Sequence, residues 1–227
     1  MKNVAVILAA GSGSRFASDI PKQYVKIQGK MIIEHTIEAF QRHPFVDEIM
    51  IAVQPLFAPL IELIKKEEKY NKLTSIIIGG KERYDTTLSI INHCEGKEEC
   101  NLLLHDAVRP FIDQNTISDV ITALHDYEAV VVATPAIDTI LEVNDEQRIT
   151  AIPDRKRLWN AQTPQAFRLS TLRSAFEKGV EDPNFHATDD SSVVFRYLPQ
   201  TSIHIIAGLA SNMKITYSED VEKLEGK

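Results

Sequence analysis

The sequence predicts an α/β fold, with an open and mostly parallel β-sheet that carries helices on both faces. Short apolar runs alternate with segments of helical periodicity from residue 4 to residue 134, and this alternation is typical of βαβ units. The first run is continuously apolar, as expected for a strand that is buried on both faces. Several runs end in glycines or charged residues, and such sheets bind ligands at the carboxyl ends of their strands.

Five strands and four helices are predicted in this part of the chain. Continuous apolar runs place the strands at 4–8, 48–53, 74–78, 101–104 and 129–134. Apolar residues at helical spacing place the helices at 32–42, 56–69, 83–92 and 116–127. We expect Thr116 to cap the last of these helices, because its hydroxyl can accept a hydrogen bond from a free backbone N–H.

The alternation stops at Pro135, and a protruding β-arm is predicted over about residues 136–158. Two β-prone segments, 138–143 and 148–152, flank a polar turn and indicate a hairpin. A hairpin that leaves a parallel sheet exposes two edges, so we expect it to pack against a second copy of the chain. The later elements are predicted as helices at 170–178 and 189–197, strands at 202–207 and 212–216, and a helix from Ser218. We predict one domain over residues 1–227, with the arm as an insertion.

The loop after the first strand carries the clearest chemical signal. It reads Ala9-Ala10-Gly11-Ser12-Gly13-Ser14-Arg15, and its glycines let backbone N–H groups approach a phosphate closely. Arg15 and Lys22 add two cations. Phe16 stands where a dinucleotide-binding loop needs its third glycine, and the sequence contains no P-loop motif. We therefore predict a site for a nucleoside triphosphate. The alternative is a plain glycine turn between a strand and a helix.

Two more predicted strands end in residues that suit the same site. Gly79, Gly80 and Arg83 follow the third strand, and Asp106 and Arg109 follow the fourth. A lone carboxylate beside phosphates is a natural ligand of Mg²⁺, so Asp106 is our candidate metal ligand. Further candidate carboxylates are Asp138, Asp189, Asp190 and Asp220. Each strand end also has a structural interpretation, with the glycines as a turn, Arg83 as a surface residue and Asp106 as a helix cap.

Composition and charge exclude several classes of function. The 227 residues are 44% hydrophobic and 25% charged, as in ordinary globular proteins, and the net charge of -7 argues against nucleic acid as a partner. Cys94 and Cys100 are too few and too far apart for a zinc knuckle, and the seven histidines show no ligand spacing. The sequence has no signal peptide and no apolar run of about 18 residues, so we expect a cytoplasmic protein that contacts no membrane.

Seven motifs follow one another along nearly the whole chain. They are Ala9-Ala10-Gly11-Ser12-Gly13-Ser14-Arg15, Pro21-Lys22-Gln23, Gly79-Gly80 with Arg83, His105-Asp106-Ala107-Val108-Arg109-Pro110, Asp138-Thr139, Gln162-Thr163-Pro164-Gln165 and Asn212-Met213-Lys214-Ile215-Thr216. In this order they resemble the motifs of the cytidylyltransferases that act on polyol phosphates. One branch of this family uses 2-C-methyl-D-erythritol 4-phosphate and another uses ribitol 5-phosphate.

The resemblance implies a Rossmann-like fold, a β-arm exchanged across a homodimer, and a Mg²⁺-dependent reaction of CTP with a polyol phosphate to give a CDP-polyol and diphosphate. It assigns the triphosphate and the transition state to the catalytic residues Arg15 and Lys22, with Lys214 as a further catalytic cation at the phosphates. It assigns cytidine binding to Ala9, Ala10, Gly11, Gly80 and Thr86, and it places Asp106 beside the ribose and the metal. Gly13 and Arg83 complete the predicted CTP site. The polyol phosphate is assigned to Arg109, Thr163 and Thr188, and to Thr139 and Arg155 from the arm of the partner chain.

The predicted acceptor depends on the branch of the family that the chain resembles more. No basic residue follows Asp138-Thr139 closely, and the run 84–87 has threonine where the methylerythritol branch usually has serine. These two features, together with segment 136–140, resemble the ribitol branch. Segments 154–155, 158–162 and 187–190 resemble the methylerythritol branch instead. We expect the acceptor to be 2-C-methyl-D-erythritol 4-phosphate, from which the non-mevalonate pathway makes isoprenoid precursors. Ribitol 5-phosphate is the alternative.

Two other classes of function fit the first loop. A sugar-1-phosphate nucleotidylyltransferase also has a glycine-rich loop followed by arginine and lysine, but it would make a nucleotide sugar. A nucleotide-binding regulatory module would be stabilised by its ligand without turnover. A panel of nucleotides scored by diphosphate release separates all three, since our interpretation requires a strong preference for CTP.

Overall fold

The structure is a computed structural model that describes residues 1–11 and 20–224. Gly13 and Arg15, two of the predicted site residues, lie outside these ranges. The strands of the described ranges are β1 (Lys2–Ala9), β2 (Lys26–Ile27), β3 (Lys30–Met31), β4 (Glu48–Val53), β5 (Leu73–Ile78), β6 (Cys100–Asp106), β7 (Ala129–Pro135), β8 (Glu142–Val143), β9 (Ile149–Ala151), β10 (Trp159–Arg168) and β11 (Ile203–Ala207). The α-helices are α1 (Ile32–Gln41), α2 (Ala58–Lys65), α3 (Arg83–His93), α4 (Gln114–Ala123), α5 (Leu169–Glu181), α6 (Asp190–Tyr197) and α7 (Ser218–Leu224).

Seven of these strands form the central sheet, in the order β11-β7-β10-β6-β1-β4-β5. All neighbours in the sheet are parallel except β10, which runs antiparallel to both β6 and β7. The predicted fold class, a mostly parallel sheet with helices on both faces, is confirmed.

Two apolar cores lie on opposite faces of the sheet, because side chains alternate along each strand. In β1, Ala5 and Ile7 face the core that α1, α2 and α4 cover. Val4 and Val6 face the other core, which α3, α5 and α6 cover. Strands that are covered on both faces are apolar throughout, which is why the first run of the sequence shows no alternation.

The order of the strands places a crevice at the carboxyl end of β1. The chain moves from β1 outward to β4 and β5 on one side, and β6 then returns to the other side of β1. Leu8 of β1 pairs with Asp106 of β6, and Ala9 pairs with Val53 of β4, so these three strands end at the same level. Loops diverge at such a switch point and leave room for a ligand.

Two local predictions are wrong and one strand was missed. The cap of α4 is Asp113 rather than Thr116, since the Asp113 carboxylate accepts the N–H of Thr116 at 3.0 Å. Residues 212–216 form no strand, and their backbone link to the turn after β6 is the Ile215 N–H to the Val108 carbonyl. The long strand β10 was not predicted, because its glutamines and Pro164 hide its β-character.

The predicted arm is present as a hairpin, with β8 and β9 paired antiparallel. The paired segments are shorter than predicted. Apolar side chains of the arm are largely exposed, among them Ile137 at 79% and Ile152 at 62%. So much exposed apolar surface on a thin hairpin is typical of a segment that packs on another surface.

The turn that follows β6 is held by a buried histidine. His105 is fully buried, with Nε2 3.0 Å from the Arg109 carbonyl oxygen and Nδ1 3.0 Å from the Thr163 hydroxyl oxygen. A carbonyl oxygen can only accept, so Nε2 carries the proton and the Thr163 hydroxyl donates to Nδ1. The same hydroxyl oxygen accepts the N–H of Asp106 at 3.1 Å. This chain of hydrogen bonds fixes the backbone at Asp106.

Burial lowers the pKa of the His105 imidazole from 6.5 to about 4. As the pH falls from about 6.5 to about 4, the His105 imidazole therefore binds a proton in the unfolded chain but stays neutral in the folded chain. The folded state should lose up to about 3 kcal/mol of stability over this range from His105. Urea unfolding measured at several pH values should show a flatter pH dependence for His105→Gln than for the wild type. The exposed His125 provides the control, His125→Gln, which should keep the wild-type slope. Equal slopes for His105→Gln and the wild type would contradict the prediction.

Candidate active site

A pocket of about 350 Å³ opens at the switch point of the sheet. It is formed by the loop after β1, the loop from β5 into α3, the turn after β6 and parts of residues 188 and 214. Its volume is typical of a small-molecule site. The lining residues are Leu8, Ala9, Ala10, Gly11, Lys22, Gln23, Gly80, Lys81, Glu82, Arg83, Thr86, Asp106, Val108, Thr188 and Lys214.

Two glutamines hold the backbone of the loop after β1. The Gln23 side-chain amide donates to the carbonyl oxygens of Ala9 at 2.8 Å and Gly11 at 3.0 Å. The Gln54 amide donates to the Ala10 carbonyl oxygen at 2.9 Å. With its carbonyls held from behind, this loop presents a fixed backbone to the pocket, which is how a protein preorganises a phosphate or nucleotide site.

A second wall of the pocket begins at two glycines, Gly79 and Gly80, that approach other chain segments closely. A Cβ at Gly79 would lie 2.4 Å from the Ala10 Cβ, and one at Gly80 would lie 2.1 Å from the Asp85 Cβ. Either contact is too short for a side chain, so this approach requires glycine. The Thr86 hydroxyl accepts the Gly80 N–H and donates to the Glu82 carbonyl oxygen, both at 3.2 Å. Thr86 thus fixes this wall with its own hydroxyl.

Three cations surround Asp106 at the floor of the pocket. Its Oδ1 atom accepts from Arg83 Nη1 at 2.9 Å, and its Oδ2 atom lies 3.3 Å from Arg109 Nε and 3.0 Å from Lys214 Nζ. Burial alone would raise the pKa of the Asp106 carboxyl, but the charges of Arg83, Lys214 and Arg109 outweigh that effect and hold the pKa well below its ordinary value. Asp106 is therefore ionised in neutral solution.

The two arginines have additional partners and the lysine is more exposed. Arg83 donates from Nε at 3.2 Å and from Nη2 at 2.7 Å to Oδ2 of the buried Asp190. Arg109 donates from Nη1 to the Asn212 carbonyl oxygen at 2.8 Å. The Lys214 side chain is 40% exposed, compared with 27% for Arg83 and 10% for Arg109. Of the three cations that contact Asp106, the lysine is thus the one most accessible to a ligand.

The charges of this cluster leave a positive balance. Arg83, Arg109 and Lys214 carry three positive charges, and Asp106 and Asp190 carry two negative ones, which leaves one net positive charge. Lys22, which lines the pocket and is 8% exposed, lies at the β1 side. A pocket with fixed positive charge and limited water contact binds a polyanion and stabilises negative charge that develops on it.

The structure brings most of the predicted site residues together. Those that line the pocket are Ala9, Ala10, Gly11, Lys22, Gly80, Arg83, Thr86, Asp106, Thr188 and Lys214. Arg109 and Thr163 lie behind it, in contact with Asp106 through the carboxylate and the backbone N–H respectively. Gly13 and Arg15 belong to the part of the chain that the structure does not describe.

Thr139 and Arg155 lie apart from the pocket, on the arm. Both are exposed, and Arg155 donates from Nη1 to the Ile137 carbonyl oxygen at 2.6 Å, within the arm. Neither is among the residues that line the described part of the pocket. The structure of one chain therefore does not bring the arm residues into the described part of the pocket.

Sequence reasoning missed the roles of several residues around the pocket. Gln23 was seen as part of a motif but not as the side chain that holds the first loop, and Gln54 was not singled out. Lys81 and Glu82 also line the pocket. Their position directly after the two glycines could have identified them as site residues. Asp190 was considered as a metal ligand, but it is the partner of Arg83.

The described residues contain no cluster of three or more histidine, cysteine, aspartate or glutamate side chains that could hold a metal ion. Asp106 and Glu82 are the carboxylates that line the described part of the pocket. Among the helices of residues 1–11 and 20–224, none is long and apolar enough to span a bilayer.

The chain matches known proteins over nearly its whole length. Residues 3–226 match the family model of 2-C-methyl-D-erythritol 4-phosphate cytidylyltransferase. The protein of that name from Bifidobacterium longum (strain NCC 2705) is 40% identical over 228 residues, which cover 98% of this chain and 78% of that protein. The bifunctional ribulose 5-phosphate reductase/CDP-ribitol pyrophosphorylase of Haemophilus influenzae is 42% identical over 222 residues, which cover 97% of this chain and 47% of that protein.

The fold of this chain is also similar to that of a solved structure. The crystal structure of 4-diphosphocytidyl-2C-methyl-D-erythritol synthase from Anaerococcus prevotii DSM 20548 is similar with a TM-score of 0.86 and 30% identity, and the match covers 99% of this chain and 95% of that one. With the sequence match over residues 3–226, this similarity shows that the chain belongs to the 2-C-methyl-D-erythritol 4-phosphate cytidylyltransferase family of nucleotidyltransferases.

Proposed function

We propose that this chain transfers the cytidylyl group of CTP to 2-C-methyl-D-erythritol 4-phosphate, which yields the CDP-polyol and diphosphate. The observation that carries the proposal is the pocket at the switch point, where three cations surround the ionised Asp106 in a member of this family. A positively biased pocket of this size suits a nucleoside triphosphate better than a neutral substrate.

The chemistry needs charge stabilisation more than it needs a base. A phosphate oxygen of the acceptor attacks the α-phosphorus of CTP, a new P–O bond forms, and the bond to the β-phosphate oxygen breaks as diphosphate leaves with the electron pair. The attacking phosphate is already ionised in neutral solution, so no side chain has to remove a proton. Negative charge grows on the oxygens around the α-phosphorus and on the diphosphate, and positioned cations lower the barrier by stabilising it.

Each wall of the pocket has a separate role in this proposal. The loop after β1, with Ala9, Ala10, Gly11 and Gly13, binds the nucleotide through its backbone. Gly80 and Thr86 form the wall against which the cytosine lies. Arg15, Lys22 and Lys214 bind the phosphates. Lys214 suits this role because it is the most exposed of the Asp106 partners and can turn from the carboxylate to a phosphate oxygen.

Asp106 and a magnesium ion fit the same proposal. Mg²⁺ keeps several waters and is usually held by one or two carboxylates together with substrate phosphates. Asp106 supplies one ionised carboxylate at the floor of the pocket, so the residues fit an ion that arrives with the triphosphate, and bound Mg²⁺ would neutralise phosphate charge there. Cationic side chains of the chain contact both Asp106 oxygens. They hold this carboxylate in the position from which it would bind the ion.

The acceptor side of the site is proposed to involve the arm of a second chain. Thr139 and Arg155 lie on the exposed hairpin, outside the pocket of their own chain, and the apolar side chains of the arm need a covering surface. In a symmetric dimer, each arm would reach the pocket of the other chain and grip the acceptor phosphate with Thr139 and Arg155. Arg109, Thr163 and Thr188 complete this side, with Thr163 and Arg109 acting from behind Asp106.

Ribitol 5-phosphate is the second candidate acceptor. The relative from Haemophilus influenzae is named a CDP-ribitol pyrophosphorylase and is as similar in sequence as the methylerythritol enzymes. The absence of a basic residue close after Asp138-Thr139 and the threonine in the run 84–87 favour this alternative. The number of relatives named for methylerythritol phosphate and the match of the family model favour the first.

The proposal predicts a strong preference for CTP. The purified chain, with Mg²⁺ and 2-C-methyl-D-erythritol 4-phosphate, should release diphosphate from CTP with a kcat/KM at least about 100-fold above those for ATP, GTP and UTP, because a site that hydrogen-bonds one base rejects the others. Without an acceptor no diphosphate should appear. Transfer to a sugar 1-phosphate with UTP or ATP would contradict the proposal, and so would CTP binding without any diphosphate release.

Lys22 should carry much of the transition-state stabilisation. Lys22→Ala is expected to lower kcat by roughly 10²–10³-fold, as the loss of a preorganised charge donor does in other enzymes. The control is Lys26→Ala, an exposed lysine outside the pocket lining, which should keep kcat within about twofold. Near-normal turnover of a folded Lys22→Ala protein would remove Lys22 from the site.

The arm proposal is tested by mixing two variants that should each have little activity alone. Lys22→Ala has a defective pocket and Arg155→Ala has a defective arm, so in a mixed dimer one pocket is complete. After equilibration of equal amounts, half of the dimers are mixed and activity should recover to about a quarter of the wild-type value. Sedimentation of each variant should give twice the chain mass of 25.5 kDa. A fully active monomer, or no recovery on mixing, would contradict a role of the arm in the partner's site.

A further inference from the structure

We propose that Asp190 is a positioning residue, which fixes the Arg83 guanidinium and through it the Asp106 carboxylate at the floor of the pocket. The inference rests on the proposed cytidylyl transfer and deepens it, because it assigns a role to a buried carboxylate that does not line the pocket.

Every polar atom of the Asp190 carboxylate is engaged. Asp190 is 1% exposed, its Oδ2 atom accepts from Nε and Nη2 of Arg83, and its Oδ1 atom accepts from the Thr87 hydroxyl at 2.6 Å. Arg83 uses its remaining amino group, Nη1, for Asp106 at 2.9 Å. The guanidinium therefore bridges two carboxylates, one behind the pocket and one in it.

This bridge determines where Arg83 can point. An arginine side chain has many rotamers. Hydrogen bonds to two carboxylates restrict the Arg83 guanidinium more than hydrogen bonds to one carboxylate would. Without the Asp190 carboxylate, Nε and Nη2 of Arg83 would lose charged acceptors inside a largely buried site. The guanidinium would then shift toward Asp106 or toward bound phosphates, and Asp106 would shift with it.

Asp190 also sets the charge of the cluster. The Asp190 carboxylate pairs with Arg83 on the side away from the pocket, and the charge of Asp106 is left for Arg109 and Lys214 to balance. Loss of the carboxylate would increase the positive charge of the cluster by one and leave Arg83 to compete with Lys214 for Asp106. The contact between Lys214 and Asp106 would then change before the reaction begins. For this reason we expect the loss of Asp190 to lower the rate of the chemical step.

The start of α6 holds Asp190 rigidly. The preceding residue, Asp189, caps the helix by accepting the Ser192 N–H at 2.8 Å, and it also accepts from the Gln165 amide of β10 at 2.6 Å. In this pair of aspartates the first anchors the helix to the sheet and the second faces Arg83. Supporting residues of this kind hold a site within the tolerance that catalysis requires.

The test is the kinetic effect of Asp190→Asn, measured with CTP and 2-C-methyl-D-erythritol 4-phosphate at a temperature well below the midpoint of unfolding. We expect kcat to fall by about 10–100-fold, since small misplacements of charged groups have effects of this size. The KM for the acceptor should stay within about threefold, because Arg83 lies on the nucleotide side of the pocket. General loosening of the fold would change the kinetics of both substrates alike.

A double-mutant cycle with Arg83→Gln asks whether Asp190 acts through Arg83. In the Arg83→Gln background, Asp190→Asn should lower kcat by less than about threefold further, since the residue that it positions is already lost. The matched control is Asp189→Asn, which makes the same chemical change one residue earlier, where the side chain contacts Ser192 and Gln165 instead of Arg83. Its effect on kcat should be equal in both backgrounds to within about twofold.

Thr87→Val keeps the inference testable if Asp190→Asn does not fold. It removes the hydroxyl that donates to Asp190 Oδ1 and should lower kcat by about three- to tenfold. In the Arg83→Gln background the same substitution should lower kcat much less. A wild-type chain without turnover would refute the proposed function itself. An active wild type with Asp190→Asn or Thr87→Val at wild-type kcat, or with equal losses in both backgrounds, would overturn the positioning role.

Discussion

The described site depends on one buried carboxylate and the cations that keep it ionised. Asp106 lies at the end of the central strand β6, where burial would favour its neutral form, and Arg83, Arg109 and Lys214 reverse that preference. The carboxylate in turn holds three positive side chains within hydrogen-bond distance of one point, where they would otherwise repel one another. A site that must receive a polyanion is thus assembled before the ligand arrives, which is the condition for electrostatic catalysis.

The fold supplies this point with fixed surroundings. The switch in strand order leaves room between β1 and β6, and side-chain hydrogen bonds to the backbone hold each wall of the pocket in place. Gln23 holds the first loop, Thr86 holds the glycine wall, and His105 with Thr163 holds the backbone of Asp106. These braces use neutral groups, so they add rigidity without changing the charge of the pocket. Asp190 is the exception, because it adds both rigidity and charge.

The sequence allowed the alternation of elements, the arm and most pocket residues to be predicted, because these follow from local patterns. Apolar runs report burial on both faces of a sheet, and glycines or charges at their ends report a ligand site. The strand β10 escaped prediction because Gln162 and Gln165 point to polar partners that belong to distant segments. Asp190 could not be paired with Arg83 for a related reason, since 107 residues separate them and only the packing of α6 brings them together.

The choice of acceptor tests the whole account most directly. In a single reaction with CTP, Mg²⁺ and equal concentrations of 2-C-methyl-D-erythritol 4-phosphate and ribitol 5-phosphate, ³¹P NMR resolves diphosphate and both possible CDP-polyols. The ratio of the two products gives the ratio of the kcat/KM values for the two acceptors. The account predicts that diphosphate and the CDP-methylerythritol accumulate together and that the CDP-ribitol stays a minor product. Predominant formation of CDP-ribitol, or consumption of CTP without either product, would contradict it.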